Sequence, residues 1–267
     1  MTSIFKKFVP PWLWRTMQRS YDAFLRLPEI PSAALHPLRF RSRKVLSALK
    51  NTQSGKRCFI IGNGPSLKTI DLGKLRNEIT FGMNRIYLLF PELGFSTTYF
   101  VSINDLVIQQ CASDIQSLDI PKFLAWRSHR HLLPSKDINY LYTTYTGAGF
   151  SRDVTGRVWE GATVTYVALQ LAYHMGFSEV ILVGVDHNFI SRGDPNKTIT
   201  SVGDDPDHFS PQYFGKGFNW QLPDLVTSEL AYRMANNAFN KAGRKVLDAT
   251  RGGKLTVFPK VDYDSLF

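Results

Sequence analysis

Cysteine is scarce in this chain: Cys58 and Cys111 are the two in 267 residues. Two cysteines cannot build a disulfide framework, and no paired Cys or His-x-x-x-His set suggests zinc. No stretch of about 18 apolar residues occurs, and no short apolar run leads to a small-residue cleavage site. The expectation is a cytoplasmic protein without a spanning helix. The Gly-x-x-x-x-Gly-Lys-Ser/Thr loop is missing, which excludes an ATPase of that motif class. Internal repeats and low-complexity tracts are absent too.

Acidic residues are nearly absent from one region. Residues 1–57 carry 12 Lys or Arg against Asp22 and Glu29, a net of +10, which is the net charge of the whole chain. The same arm holds Phe5, Phe8, Trp12, Trp14, Tyr21 and Phe24. Aromatics interleaved with basic residues suit an anionic lipid surface, where the rings enter the headgroup layer and the cations meet phosphate. The expectation is therefore a basic aromatic arm and linker over residues 1–57, with residues 1–50 touching the inner face of the cell membrane. A neutral body argues against a nucleic-acid partner. A solvated arm packed on the domain is the plain alternative.

The rest of the chain, residues 58–267, alternates strand-like and helix-like runs. Strands are expected at 58–61, 79–83, 98–103, 121–126 and 140–144, with a helix from Asp105. A helix from Thr163 to Met175 ends at Gly176 and leads into a strand at 179–183. A second helix, from Asp224 to Ala242, ends at Gly243 and leads into 245–248. Helix, glycine and strand in that order make half of a parallel crossover. In the arm, a helix over 12–27 is expected to stop at Pro28 and Pro31, with Pro37 opening a basic linker. The fold class that follows is α/β, with a Rossmann-like open parallel sheet, a long lid loop and a basic N-terminal helical arm.

Within that frame the segment Cys58-Phe59-Ile60-Ile61-Gly62-Asn63-Gly64-Pro65-Ser66-Leu67 reads as a strand feeding a nucleotide-binding loop. Gly62 and Gly64 are expected to allow positive φ and close approach of an anion, Pro65 to open a helix, and Ser66 to offer a hydroxyl. Two later strands also end in an amide, at Asn84 and at Asn104-Asp105. In an open parallel sheet these ends share one crevice, so Asn63, Asn84 and Asn104 are expected to converge on a base or ribose. Each alone could be a turn residue.

The block Gly62-Asn63-Gly64-Pro65-Ser66-Leu67-Lys68 with Ile70-Asp71, the asparagine after the second strand and the turn Gly184-Val185-Asp186 resemble the 6-hydroxymethylpterin diphosphokinase (MptE)-like family. The same loop is similar to that of the bacterial sialyltransferases of the Campylobacter lipooligosaccharide type. The resemblance covers roughly residues 58–258. The later motifs Gly203-Asp204-Asp205-Pro206-Asp207-His208-Phe209 and Tyr213-Phe214-Gly215-Lys216-Gly217 look more like the diphosphokinase-like family. The resemblance implies a GT-A or sialyltransferase-like fold and a nucleotide substrate.

Some 40 residues between the strand at 179–183 and the helix at 224–242 are dense in functional side chains, and a loop that long in a compact domain is usually a lid. Asp186 directly follows a strand and is expected to face the crevice as a metal or ribose ligand, or to cap a turn. His208, among carboxylates, is the candidate general base, with Asp186 and Asp205 as further catalytic candidates. In the sialyltransferases a lid histidine activates the acceptor; matching anchored on Asp224 puts Asn219 near that place. Asp204 and Asp205 could hold Mg²⁺ on a diphosphate. Asp105, Thr163, His187, Tyr213 and Lys216 complete the expected nucleotide-binding set.

Two enzyme readings follow. One is a glycosyltransferase using a sugar nucleotide of the CMP-sugar type to build a bacterial surface glycan, with no covalent cofactor. The other is a diphosphokinase moving pyrophosphate from ATP to a small alcohol such as a hydroxymethylpterin. A non-catalytic nucleotide-binding protein is the third reading.

Overall fold

The computed structural model describes residues 10, 13, 16, 17, 20, 21, 24, 25, 27–145, 149–191 and 193–267. Its helices are α1 (Glu29–Leu35), α2 (Pro37–Leu49), α3 (Phe90–Leu93), α4 (Asp105–Gln110), α5 (Ala112–Ser117), α6 (Val164–Met175) and α7 (Leu225–Lys241). Its strands are β1 (Arg57–Ile61), β2 (Thr80–Met83), β3 (Tyr99–Ser102), β4 (Lys122–Ala125), β5 (Ile138–Thr144), β6 (Arg157–Trp159), β7 (Glu179–Val183), β8 (Thr198–Thr200), β9 (Asn219–Gln221) and β10 (Lys245–Asp248). Among the described residues no helix is long and apolar enough to cross a membrane.

Eight strands form one parallel sheet in the order β10-β7-β1-β2-β3-β4-β5-β6. Central strands of such a sheet are covered on both faces and read as continuous apolar runs. In β1, Cys58 and Ile60 face one core while Phe59 and Ile61 face the other. The first core is closed by α6, whose residues 165–172 are all buried, and by Ala235 and Phe239 of α7. The second is closed by Leu67, Leu72 and Leu75 below the β1 loop and by Val107, Ile108 and Ile115 of α4 and α5.

From β1 the chain lays down β2 to β6 on one side and then returns to place β7 on the other. The order of the sheet therefore reverses between β1 and β7. In open α/β sheets, ligands bind outside the carboxyl ends of the strands at that reversal.

The basic stretch after Pro37 is α2, a helix packed on the sheet, where a linker was expected. Pro37 takes the first helical position, whose N–H needs no partner, and His36 Nδ1 accepts the Leu38 N–H at 3.2 Å. Leu46 is fully buried, and the Ser42 hydroxyl accepts the Tyr140 N–H of β5 at 2.9 Å. Buried Arg39 donates to the carbonyls of Tyr140 and Thr155, and Arg41 to those of Ser135 and Ile138. Burial, aided by Arg43, lowers the Arg39 guanidinium to about 10. These cations serve the fold. Pro31 lies inside α1, so the chain is not stopped there; a proline in a first turn displaces no helical hydrogen bond. The described residues of the expected 12–27 helix are helical from 13 to 25, whereas Phe5, Phe8, Trp12 and Trp14 lie outside the described residues.

Candidate active site

The loop after β1 and the turn after β7 are laced together. The Gly62 N–H donates to Val183 O at 2.7 Å and the Gly64 N–H to Gly184 O at 2.9 Å. A Cβ on Gly62 would lie 2.2 Å from Gly184 O, and one on Gly64 would lie 1.8 Å from Asp186 Oδ2. The expected positive φ is corrected: Gly64 has φ −72° and Gly62 is not among the left-handed glycines. What excludes a side chain is the neighbouring turn. Pro65 opens a single 3₁₀ turn, Pro65–Thr69, in place of the expected longer helix. Asp186 holds that turn, taking the Ser66 N–H on Oδ1 (3.1 Å) and the Ser66 hydroxyl on Oδ2 (2.6 Å). Burial pushes the Asp186 carboxyl above its ordinary range, against the two Ser66 hydrogen bonds. Gly62, Asn63, Gly64 and Asp186 line the crevice, whereas Pro65, exposed, and Ser66, buried, lie off its lining.

The crevice is a cleft of about 790 Å³, within the span of small-molecule sites. Asn63, Asn84 and Asn104 all line it, together with Asp105, Thr163, His187, His208 and Tyr213. The three amides are in different states. Asn84, in a left-handed conformation at φ 51°, accepts the Ser102 hydroxyl. Asn104 caps α4, its Oδ1 taking the N–H groups of Leu106 and Val107. Asn63 Oδ1 is buried with no partner among the described residues, and such an acceptor awaits a donor. Thr163 caps α6 and meets the Tyr232 hydroxyl at 3.3 Å. Asp105 accepts from Ser128, and His187, in a left-handed turn at φ 52°, has its pKa lowered by burial.

The lid carries a two-stranded antiparallel ribbon, β8 with β9, and an inner knot built on Asp205. Asp205 Oδ1 takes the Asp207 N–H, and Oδ2 takes the Phe214 N–H at 3.0 Å and His208 Nδ1 at 2.8 Å. Burial pushes this carboxyl up, but the His208 ring and the two amides bring it below the usual range. His208 stacks on the buried Tyr213 ring, centroids 4.0 Å apart, and the Tyr213 phenol is pushed up by burial. The knot is fastened to the first loop by the Phe209 N–H, which donates to Asn63 O at 2.9 Å.

Two expected roles meet a different geometry. Both oxygens of Asp205 are engaged, and Asp204 is exposed beside it, so the pair does not converge as a cation site. No cluster of three His, Cys, Asp or Glu side chains suited to a metal occurs among the described residues. Lys216 is exposed and lies off the cleft lining. Asn219 is on β9, where its side chain accepts the Thr200 hydroxyl.

The sequence reading missed Arg127 and Glu160, which pair across the cleft wall. Arg127 Nη2 donates to Glu160 Oε2 at 3.1 Å and to Ile103 O at 2.7 Å, while Nη1 donates to Glu160 Oε1. Burial pulls this guanidinium down, yet Glu160 holds it above its ordinary value. Arg127 follows β4 and Glu160 follows β6, so the rule that pointed to Asn63, Asn84 and Asn104 pointed to them as well. Asp224, Thr227 and Ser228, at the start of α7, also line the cleft.

A search of curated protein sequences gives no match. Among solved structures, a glycosyltransferase named MAf from Magnetospirillum magneticum AMB-1 superposes with a TM-score of 0.51 at 15% sequence identity. The superposition covers 97% of this chain and 43% of that one, so this chain spans less than half of its length. At that identity the likeness is one of fold. The family described as 6-hydroxymethylpterin diphosphokinase MptE-like matches residues 35–192, from α2 through both halves of the laced loop and short of His208. With more than half of its length matched, the chain belongs to the MptE-like family.

Proposed function

We propose that the protein is a glycosyltransferase that moves a sugar from a nucleotide donor of the CMP-sugar type to a hydroxyl of a surface glycan. Family and fold support a transferase; the choice of donor rests on the charge of the cleft. Among the described residues its lining holds the carboxylates of Asp105, Glu160, Asp186, Asp207 and Asp224, while the one Arg or Lys there, Arg127, is bound to Glu160. Such a lining favours a donor with a single phosphate over a triphosphate of about four negative charges. Asn63 offers its unpartnered oxygen to the amino group of the base. His208, oriented through Nδ1 by Asp205, takes the proton of the acceptor hydroxyl on Nε2 as that oxygen bonds to the anomeric carbon of the sugar and the bond from that carbon to the phosphate oxygen breaks, releasing CMP. Asp205 stabilises the imidazolium during that step.

The second reading is the diphosphokinase, favoured by the family match. There Mg²⁺ would travel with ATP and offset the acidic lining, and the same histidine would deprotonate the alcohol. Calorimetry with CMP, CMP-sugar and ATP, the last with and without Mg²⁺, separates the two. We expect CMP and CMP-sugar to bind without metal and the sugar nucleotide to hydrolyse slowly without acceptor. ATP binding that requires Mg²⁺, with AMP released only when a hydroxymethylpterin is present, would transfer the assignment to the diphosphokinase.

A further inference from the structure

The segment before α1 presents an apolar face to solvent. Every described residue from 13 to 25 is helical, and Leu13, Met17, Tyr21 and Phe24 are 37%, 52%, 62% and 68% exposed. At 3.6 residues per turn these positions fall within about 80° of one another. Leu27, Ile30 and Leu35, farther along the chain, are also exposed. Of the 15 exposed large apolar side chains among the described residues, eight lie between Leu13 and Phe40, while the rest are scattered over the body. An apolar face of that extent marks an interaction surface.

Charge identifies what covers it. In the sequence Arg15, Arg19 and Arg26 sit two places after Leu13, Met17 and Phe24, the spacing of a helix with an apolar and a basic side. Arg39 and Arg41 are consumed by backbone carbonyls, and Lys50 and Arg57 pair with Asp153 and Glu78. Arg43 and Lys44 stay exposed on α2. We infer that residues 13–35 lie on an anionic lipid bilayer, apolar side down, with Arg15, Arg19, Arg26, Arg43 and Lys44 meeting the phosphates. The inference is independent of the reaction in the cleft, and it narrows the lipid contact from the whole arm to residues 13–35 with Arg43 and Lys44.

The test is co-sedimentation of the full-length protein with vesicles of phosphatidylcholine alone or with 30% phosphatidylglycerol, at about 50 and 300 mM salt. We expect binding to the anionic vesicles at least tenfold tighter than to the neutral ones and weakened by salt. Met17→Ser with Phe24→Ser should lose at least tenfold while melting at the parent temperature, and Arg15→Gln with Arg19→Gln should lose the preference for phosphatidylglycerol. Equal binding by parent and Ser variants, or no binding by the parent, overturns the inference. So does a parent dimer in lipid-free light scattering that the Ser variants dissociate, since the face would then join two copies.

Discussion

Gly64 and Asp186 stand so close that the glycine's missing side chain is a requirement of the aspartate: a Cβ would sit 1.8 Å from Oδ2. The loop after β1 thus keeps its shape through a carboxylate 122 positions later in the chain. Gly64→Ala should cost roughly 1–3 kcal/mol as an overpacking change. Asp186→Ala in the same chain should cost less than the sum of the two single changes, because it removes the clashing oxygen and leaves the Asp186 Cβ at 3.0 Å. Additive losses in chemical denaturation would count against the relationship.

His208 is the candidate base, and Asp205 its orienting partner at 2.8 Å. His208→Ala should lower kcat by roughly 10²–10⁴-fold with donor affinity little changed. Asp205→Asn should also lower kcat, by leaving the ring free to turn. Single-turnover kinetics with saturating donor make the comparison. Undiminished turnover in both variants would place the base elsewhere in the cleft.

Acid should loosen the lid knot. The Asp205 carboxyl lies lower in the folded chain than in the unfolded one, where it titrates near pH 4. Its contribution is then whole above that pH and is lost as the pH falls through the folded value. Melting of the parent and Asp205→Asn from pH 7 to pH 3 should show a gap at neutrality that narrows below about pH 4. Parallel curves would show that the carboxylate does not carry the knot.

The Arg127–Glu160 pair is a buried fork, with Glu160 7% exposed. Glu160→Leu alone should destabilise by about 3–5 kcal/mol, since it strands a guanidinium in the wall. Arg127→Met added to it should recover most of that loss. Urea titration of the two variants reads the difference, and a double variant no better than the single would refute the pairing.

Truncation should find a sharp boundary between the exposed arm and α2. Removing residues 1–27 should leave cooperative melting intact. Removing residues 1–50 should abolish it, because Leu46, Ser42, Arg39 and Arg41 leave with the helix. Leu46→Ala alone should cost roughly 2–5 kcal/mol. A folded 51–267 fragment would show that α2 is dispensable.

Much of the sheet was legible because buried parallel strands are short apolar runs; β7 and β10 lie at the expected 179–183 and 245–248. The convergence of Asn63, Asn84 and Asn104 followed from strand ends alone. α2 was misread because its buried side includes Arg39, whose partners are carbonyls 101 and 116 positions away, which no local pattern contains. β6, three residues long with only Val158 fully buried, offers no run to detect. The reason for Gly64 was misread for the same cause, since its constraint is a distant side chain and not its own dihedral angle.

The hydrogen bond from Phe209 to Asn63 O lies midway along the segment between β7 and α7. A strap held at both ends and riveted at its middle cannot swing like a door. Its two half-spans are also stitched to each other, by the β8–β9 ribbon and by the Asp205 N–H on Pro211 O, while the rivet keeps His208 in register with the floor beneath it. The strap therefore loosens as one piece, and a change that frees the rivet should alter the passage of donor and acceptor in the same direction.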